Sequence, residues 1–273
     1  MSRLATRRLR KLGVLAIVAV VVVASEAALS SRLVRTSFAT GWLLLALVVG
    51  LAAYNVRKKV PFLTLGPSAS WLQVHIYAGL LSGIVFALHV EFRIPNGTFE
   101  SVLASLYLTV FLSGLGGLAL TRAIPPRLTS RGEEVIFERI PVRMKGIRDE
   151  VEVLVYTSAS DSETAVIPDI YLQQLKAFFE RPRNRFWHLL HFGRPRQRLL
   201  LEIQSQKRFL NDSEQAVLQD IADCVTAKDD LDYQFALQAA LKTWLFVHVP
   251  LTYSLLVLAV FHLIVVHAFA GGM

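Results

Sequence analysis

Two stretches of sequence decide the fold: WLQVHIYAGLLSGIVFALH at residues 71–89 and WLFVHVPLTYSLLVLAVFH at residues 244–262. Each begins with Trp-Leu-x-Val-His and ends with a second histidine. Apart from a few polar side chains both stretches are apolar, and apolar blocks of this length are typical of membrane-spanning helices. An ionisable residue inside such a span is rare and costly, so each histidine is a candidate functional residue.

The composition also indicates a membrane protein. The chain has 273 residues, of which 53% are hydrophobic and only 18% are charged, and its net charge is +8. Soluble proteins usually carry more charge. Many basic residues flank apolar blocks, as at 3–11 and 57–59, and most of the others fall in residues 123–242. This placement favours membrane topology over nucleic acid as the reason for the positive charge, so no nucleic acid partner is expected.

Several cofactor motifs are missing from the sequence. The single cysteine, Cys224, cannot form an intrachain disulfide or ligate an iron–sulfur cluster alone. The sequence contains no Cys-x-x-Cys-His motif, no Gly-x-Gly-x-x-Gly motif and no Walker loop. Covalently attached haem, nicotinamide chemistry and ATP chemistry are therefore not expected in this chain.

The apolar blocks predict an all-α membrane helix bundle of about five transmembrane helices with a small cytoplasmic α+β or helical insertion. The first block is predicted to be a retained helix rather than a cleaved signal. We predict four regions, which are a basic cytoplasmic N-terminus (1–12), helices 1 to 4 (13–122), an insertion domain (123–240), and helix 5 with the C-terminus (241–273).

The positive-inside rule predicts the orientation of these helices. The basic N-terminus is expected in the cytoplasm and the C-terminus outside, in a bacterial inner membrane. Residues 122–131 and the long polar segment after them are then cytoplasmic. Helices 3 and 5 both run from inside to outside, so we predict that they are parallel.

The histidines of the two stretches are spaced alike. His75 and His89 are 14 residues apart, and so are His248 and His262. At about 100° per residue, this interval returns to within roughly 40° of the starting face, so both histidines of a helix share a face. The interval rises about 21 Å within a hydrocarbon core of about 30 Å, which places one histidine near each membrane face.

On parallel helices His75 is level with His248, and His89 with His262, so each pair can hold a flat macrocycle between two imidazoles. The alternative, hydrogen bonding between helices, does not predict matched intervals. We therefore predict two b-type haems, with His75 and His248 binding the inner iron and His89 and His262 the outer. His267 fits neither pair, and an interfacial position, an alternative outer ligand or a proton-handling group at a quinone site are all open.

These four histidines resemble the ligand set of the bis-histidine dihaem cytochromes b. The interval between ligands is similar to that of the respiratory cytochrome b subunits. The use of helices 3 and 5 resembles the membrane domain of the ferric reductases and NADPH oxidases. The resemblance covers helices 2 to 5, about half the chain, and implies two haem b groups. That family continues into a sixth helix and a flavin and nicotinamide domain, which are not expected here.

The resemblance therefore implies an electron-transfer subunit rather than a self-contained enzyme. Membrane lipid and a redox partner protein (a cytochrome, a flavoprotein or an iron–sulfur protein) are the expected partners, with a quinone as a further one. Basic residues near the membrane faces are expected to pair with haem propionates, namely Lys58, Lys59, Lys242 and Arg93. A relay between the two membrane faces, a quinol-oxidising or quinone-reducing subunit, and a non-redox anchor or sensor remain as functional hypotheses.

The insertion contains short patterned segments. Residues 134–139 and 151–156 alternate as strands do, whereas residues 170–179 and 213–227 have helical spacing. Residues 230–242 are predicted to form a helix that runs directly into helix 5. The arginine-rich segment 181–198, which contains His188 and His191, is predicted to be a basic surface near anionic lipid headgroups or a docking face for an acidic partner.

Overall fold

The computed structural model describes residues 13, 15–24, 36–59, 67–129, 134–161, 166–180 and 194–270. These residues are helical almost throughout and contain no strand. The chain divides into two compact units: unit 1 comprises Met1–Leu118 and Leu245–Met273, and unit 2 comprises Ala119–Trp244. The predicted all-α architecture is confirmed for the described residues, and the α+β form of the insertion is wrong.

In chain order the helices of these residues are α1 (Leu15–Ala24), α2 (Thr36–Lys59), α3 (Ser68–His89), α4 (Thr98–Leu128), α5 (Ile140–Asp161), α6 (Val166–Ile170), α7 (Lys176–Glu180), α8 (Arg194–Gln206) and α9 (Asp212–Ala270). A π-helical turn at Tyr171–Leu175 joins α6 to α7. Four helices, α2, α3, α4 and α9, are long and apolar enough to cross a membrane. The chain is accordingly a membrane protein, and the fifth predicted segment is the C-terminal part of α9.

The four long apolar helices meet in one core in unit 1. Val48 of α2, Tyr107 of α4 and Leu255 of α9 are buried there, and Phe86 of α3 packs against them. The rings of Phe86 and Tyr107 are stacked with centroids 4.1 Å apart. The Tyr107 hydroxyl donates a hydrogen bond to Ser82 Oγ (2.9 Å), so this buried polar group is satisfied within the core.

A second core organises unit 2. It gathers side chains from α5, from the segment α6 to α7, from α8 and from the N-terminal half of α9, among them Val151, Leu175, Ile203 and Leu218. The strand predicted at residues 151–156 is wrong because these residues lie inside α5. Met144, Ile147, Val151, Leu154 and Ser158 are buried or partly buried at helical spacing along α5. The alternation of a six-residue window was too short to show this longer period.

The strand predicted at residues 134–139 is also wrong, although part of its backbone is extended. Residues 134–136 are not helical, and Phe137–Arg139 form a 3-10 turn. The Val135 N–H donates to Gln234 Oε1 (2.8 Å), and the Val135 carbonyl accepts from Gln238 Nε2 (2.8 Å). Two glutamines one turn apart on α9 therefore satisfy the backbone groups that a neighbouring strand would otherwise satisfy.

Helix α4 continues past its predicted end. Pro125 and Pro126 lie inside it, and it ends at Leu128. Ile124 and Leu128 are buried against Tyr233 and Leu237 of α9. This packing stabilises a last turn that two prolines would otherwise disfavour.

The helices predicted at residues 170–179, 213–227 and 230–242 are confirmed, the first with a π-helical turn inside it. Helix α9 is capped one residue earlier than Asp212 or Ser213, the positions that the sequence suggests. The Asn211 side chain accepts from the Glu214 N–H (2.8 Å), and Glu214 accepts from the Asn211 N–H (3.1 Å). This reciprocal pair is a capping box.

Candidate functional site

Contacts along α2 show how it lies against α3. Near the N-terminal end of α2, Gly41 lies against the ring of His89, the last residue of α3. Near the other end, Tyr54 contacts the ring of His75, with centroids 5.2 Å apart. Because the order of the contacts is reversed, α2 and α3 are antiparallel.

Helix α2 lies against α9 in the same sense. Trp42 contacts His267 with ring centroids 5.8 Å apart. Thirteen residues further along α2, Asn55 Nδ2 donates to the Tyr253 hydroxyl (3.1 Å). Helix α2 is therefore antiparallel to both histidine-bearing helices, and α3 and α9 are parallel, as the sequence predicted.

His89 and His262 are brought together at one end of these parallel helices. The centroids of their imidazole rings are 6.5 Å apart, and the ring planes are inclined at 86°. Two imidazoles that bind one metal ion from opposite sides, with nitrogen–metal bonds of about 2.0–2.1 Å as in zinc sites, have centroids roughly 6.3–6.5 Å apart. The observed separation fits an ion held between the two rings.

The hydrogen bonds of His89 leave its second nitrogen available. Nδ1 lies 3.0 Å from the carbonyl oxygen of Ser37. A carbonyl only accepts, so Nδ1 carries the proton and donates it, and Nε2 has the lone pair that a metal ligand needs. A metal-binding histidine usually donates its other ring N–H to a carbonyl or a carboxylate in this way.

His262 is not used for hydrogen bonding within the part of the chain that the structure describes. Its Nδ1 is buried without a hydrogen-bond partner there, and its neighbours are rings, with Phe99 at a centroid distance of 6.0 Å and 27° from parallel. Hydrogen bonding between helices therefore does not account for this histidine. A buried polar group without such a role is a candidate for binding a missing group.

Both rings line a cavity of about 460 Å³ at this end of unit 1. The volume lies within the range of about 300–1,000 Å³ that is usual for ligand and cofactor sites. Most of its wall is apolar, including Leu44, Val48, Phe86, Leu103, Tyr107, Leu255 and Ala259, and its polar side chains include Ser37, Glu91, Arg93, Glu100 and His267. A largely apolar cavity between two facing imidazoles suits a flat, mostly apolar macrocycle.

A left-handed turn forms one edge of the cavity. Directly after α3, Glu91 and Phe92 have φ angles of 54° and 55°. Positive φ is uncommon for residues other than glycine, and a large side chain makes it costly. The turn ends α3 at His89 and leads the chain past the cavity through Glu91, Arg93 and Ile94.

The other two predicted ligands have partners on two different helices. His75 contacts the ring of Tyr54 on α2. His248 Nδ1 lies 3.2 Å from Ser113 Oγ on α4, and a Cβ at Gly114 would lie 3.7 Å from its Cε1. The ring-to-ring approach of His89 and His262 is not among these contacts.

His267 lies beside the first pair rather than in it. Its ring contacts Phe38 at 5.2 Å and Trp42 at 5.8 Å, and its Nδ1 lies 2.9 Å from the carbonyl oxygen of Leu263. It lines the same cavity as His89 and His262. An aromatic edge of this kind is compatible with all three roles that the sequence left open.

The predicted propionate partners differ in their positions. Arg93 lines the cavity, and its only close carboxylate there is Glu91 at 3.6 Å, with both side chains exposed. Lys242 instead pairs with Glu138 and lies over the ring of Phe137 in unit 2. The side chains of Lys58 and Lys59, like His188 and His191, lie outside the described residues.

The sequence gave no sign of three contributors to the sites: Ser37, Gly41 and Ser113. Ser37 acts through its backbone carbonyl, which no side-chain pattern reveals. Gly41 is one of several glycines in apolar helices, and only contact geometry separates it from Gly50, around which a Cβ would meet nothing within 4 Å. Ser113 lies within an apolar block, where a hydroxyl is a weak signal.

Comparisons of the chain with protein-family models, with curated proteins and with solved structures gave no match. Among the described residues, no group of three or more His, Cys, Asp or Glu side chains is arranged to hold a metal ion. A bis-imidazole haem site needs only two such ligands, because the macrocycle supplies the other four. The site is therefore defined by its own geometry.

Proposed function

We propose that the chain is a membrane cytochrome that relays electrons between partners on the two membrane faces through two haem b groups. One haem is held by His89 and His262 and the other by His75 and His248. The observation that carries the proposal is the 6.5 Å separation of the His89 and His262 rings at a cavity of about 460 Å³. The parallel direction of α3 and α9 supports the second pair, since the two intervals of 14 residues then end at similar depths.

The chain's own residues prepare the first site for such a group. His89 donates from Nδ1 to Ser37 and presents Nε2, and His262 approaches from the parallel helix. Apolar side chains from α2, α3, α4 and α9 exclude water from the space between them, and Arg93 at the edge of the cavity offers a positive charge to a propionate. A haem with two imidazole ligands has no open position and supplies one-electron transfer rather than oxygen activation.

The direction of the relay and its partners follow from the same proposal. With the N-terminus cytoplasmic, as the positive-inside rule predicts, the His75–His248 haem lies nearer the cytoplasm and the His89–His262 haem nearer the outside of a bacterial inner membrane. Electrons then come from a separate redox protein and leave to another, so the chain works as a subunit rather than as a complete reductase.

The test is electron transfer across vesicles that contain the purified chain. Ferricyanide is trapped inside, a membrane-impermeant reductant is added outside, and reduction of the ferricyanide is followed by absorbance. We expect haem-dependent reduction with the wild-type chain and none with His89→Ala or His262→Ala. Equal rates for all three chains would contradict the relay.

A second candidate function has a specific observation in its favour. The cavity extends to His267, Phe38 and Trp42 and includes the carboxylate of Glu100. Aromatic walls with a histidine and a carboxylate suit a quinol ring, so a quinol-oxidising or quinone-reducing subunit is the alternative. Reduction of the haems by a quinol in the isolated protein favours this alternative, and failure of several quinols to reduce them favours the relay. A chain without haem would instead leave a non-redox anchor or sensor.

A further inference from the structure

We propose that the first turn of α2, Ser37 to Gly41, is a positioning element for His89 and thereby sets the affinity and the potential of the haem at the His89–His262 site. This inference rests on the proposed function. It adds a third helix to a site whose ligands come from α3 and α9, and it concerns residues that bind no haem themselves.

Gly41 makes the close approach of His89 possible. A Cβ built on Gly41 would lie 2.9 Å from His89 Cε1, 3.4 Å from Nδ1 and 3.8 Å from Nε2. Carbon atoms in van der Waals contact are about 3.5–4.0 Å apart, so any side chain at this position would push the imidazole away from α2. The ring lies against bare helix backbone, and only glycine permits this.

The missing side chain also exposes the carbonyl that holds the ring. In a helix the Ser37 carbonyl accepts the N–H of residue 41, and its second lone pair stays available. His89 Nδ1 lies 3.0 Å from this oxygen, and Thr40 Oγ1 donates to the same oxygen at 3.1 Å. Thr40 Oγ1 is itself 3.4 Å from His89 Nδ1 and is buried.

These contacts fix the tautomer, the tilt and the basicity of His89 together. With the proton held on Nδ1 by Ser37, Nε2 is the ligand atom, and the strength of the Nδ1–H hydrogen bond tunes how well it binds a metal. Loss of a hydrogen-bond partner behind a metal ligand typically lowers metal affinity by about 10- to 100-fold.

The chain offers a matched control on the same helix. A Cβ at Gly50 of α2 would meet nothing within 4 Å. Gly41→Ala and Gly50→Ala therefore make the same chemical change and the same gain in helix propensity, but only the first reaches His89.

The first experiment is haem binding and redox titration of the purified full chain. The titration step that disappears in His89→Ala identifies the haem of the His89–His262 site. We expect Gly41→Ala to lower the affinity of this haem by about 10- to 100-fold while the haem at His75 and His248 stays bound, which also shows that the bundle is folded. Gly50→Ala should match the wild-type chain at both haems.

A second pair of variants tests the hydrogen bonds without adding bulk. Thr40→Val removes the hydroxyl that shares the Ser37 carbonyl with His89, and Thr40→Ser keeps it. We expect Thr40→Val to shift the midpoint potential of the His89–His262 haem alone, and Thr40→Ser to restore the wild-type value. A purely structural role for Thr40 would leave this potential unchanged.

The outcomes separate this inference from the proposed function. A wild-type chain that binds no haem overturns both. A wild-type chain that binds two haems, with Gly41→Ala indistinguishable from Gly50→Ala and Thr40→Val from wild type, overturns the positioning role and leaves the cytochrome intact.

Discussion

The imidazole rings of His89 and His262, which lie on parallel helices, approach to a centroid distance of 6.5 Å. They are 173 residues apart in the chain, and both face a cavity of about 460 Å³. Within the described residues His262 spends neither ring nitrogen on a hydrogen bond, and His89 spends only Nδ1. The pair is therefore arranged to bind something between the rings rather than to join the helices.

Substitution of either ring should remove the same haem. We expect His89→Ala and His262→Ala each to lower the haem content of the purified chain by about half and to abolish the same step of a redox titration, because a bis-imidazole site needs both ligands. Haem is measured by its absorption after extraction, against the protein concentration.

His267→Ala is the control for this prediction, because His267 lines the same cavity and is outside the facing pair. It should keep both haems. Loss of different haems in His89→Ala and His262→Ala, or loss of haem in His267→Ala alone, would show that the ligands are paired wrongly.

Ser113 should affect the other haem. Its hydroxyl is 3.2 Å from His248 Nδ1, and Ser113→Ala removes this partner. We expect the affinity of the haem at His75 and His248 to fall by about 10- to 100-fold, with no change at the other site. Ser105→Ala, an exposed serine on the same helix, is the control, and an equal effect of the two substitutions argues against a role for Ser113.

Unit 2 contains a buried ion pair whose disruption should be costly. Lys228 pairs with Asp232 one turn along α9, and both side chains are almost completely buried. Lys228→Met leaves the buried carboxylate without its cation and should lower the free energy of unfolding by about 3–5 kcal/mol. Lys228→Met with Asp232→Leu should cost less, because no buried charge is left alone. Denaturant titration followed by circular dichroism measures both, and a double variant that is less stable than the single one contradicts this account.

Tyr171 should cause a loss of stability at alkaline pH. Burial, and then its hydrogen bond to the Glu152 carboxylate (3.1 Å), raises the pKa of the Tyr171 hydroxyl to about 12. In the unfolded chain the pKa is about 10. The folded state therefore holds this proton more tightly, and the stability it contributes is fully present below pH of about 10 and is lost as pH rises towards about 12.

The control for the alkaline effect is Tyr171→Phe, which removes the titrating hydroxyl and keeps the ring. Its free energy of unfolding should fall less steeply than that of the wild-type chain over the same pH range. Identical slopes for the two chains would assign the alkaline loss of stability to other groups.

The sequence predicted the parallel direction of α3 and α9 and the meeting of His89 with His262, because matched intervals and a basic flank are properties of the chain itself. It could not predict how His89 is held. That depends on the Ser37 carbonyl and on the bare surface of Gly41, and these become visible only when α2 is packed against α3.

In unit 2 the sequence predicted the wrong element wherever a short pattern competed with long-range packing. Residues 151–156 alternate locally but are helical, because α5 buries residues at helical spacing over a longer stretch. Val135 is extended, yet its backbone partners are two glutamine side chains about 100 residues away rather than a strand. Pro125 and Pro126 signal a helix end that burial of Ile124 and Leu128 against α9 postpones.

The most direct test of the central claim is a haem count with reduced and oxidised spectra on the purified wild-type chain. The account predicts two b-type haems per chain, both reducible and both with the spectrum of a low-spin iron with two imidazole ligands. A chain that binds no haem, or whose spectrum does not change on reduction, would contradict it.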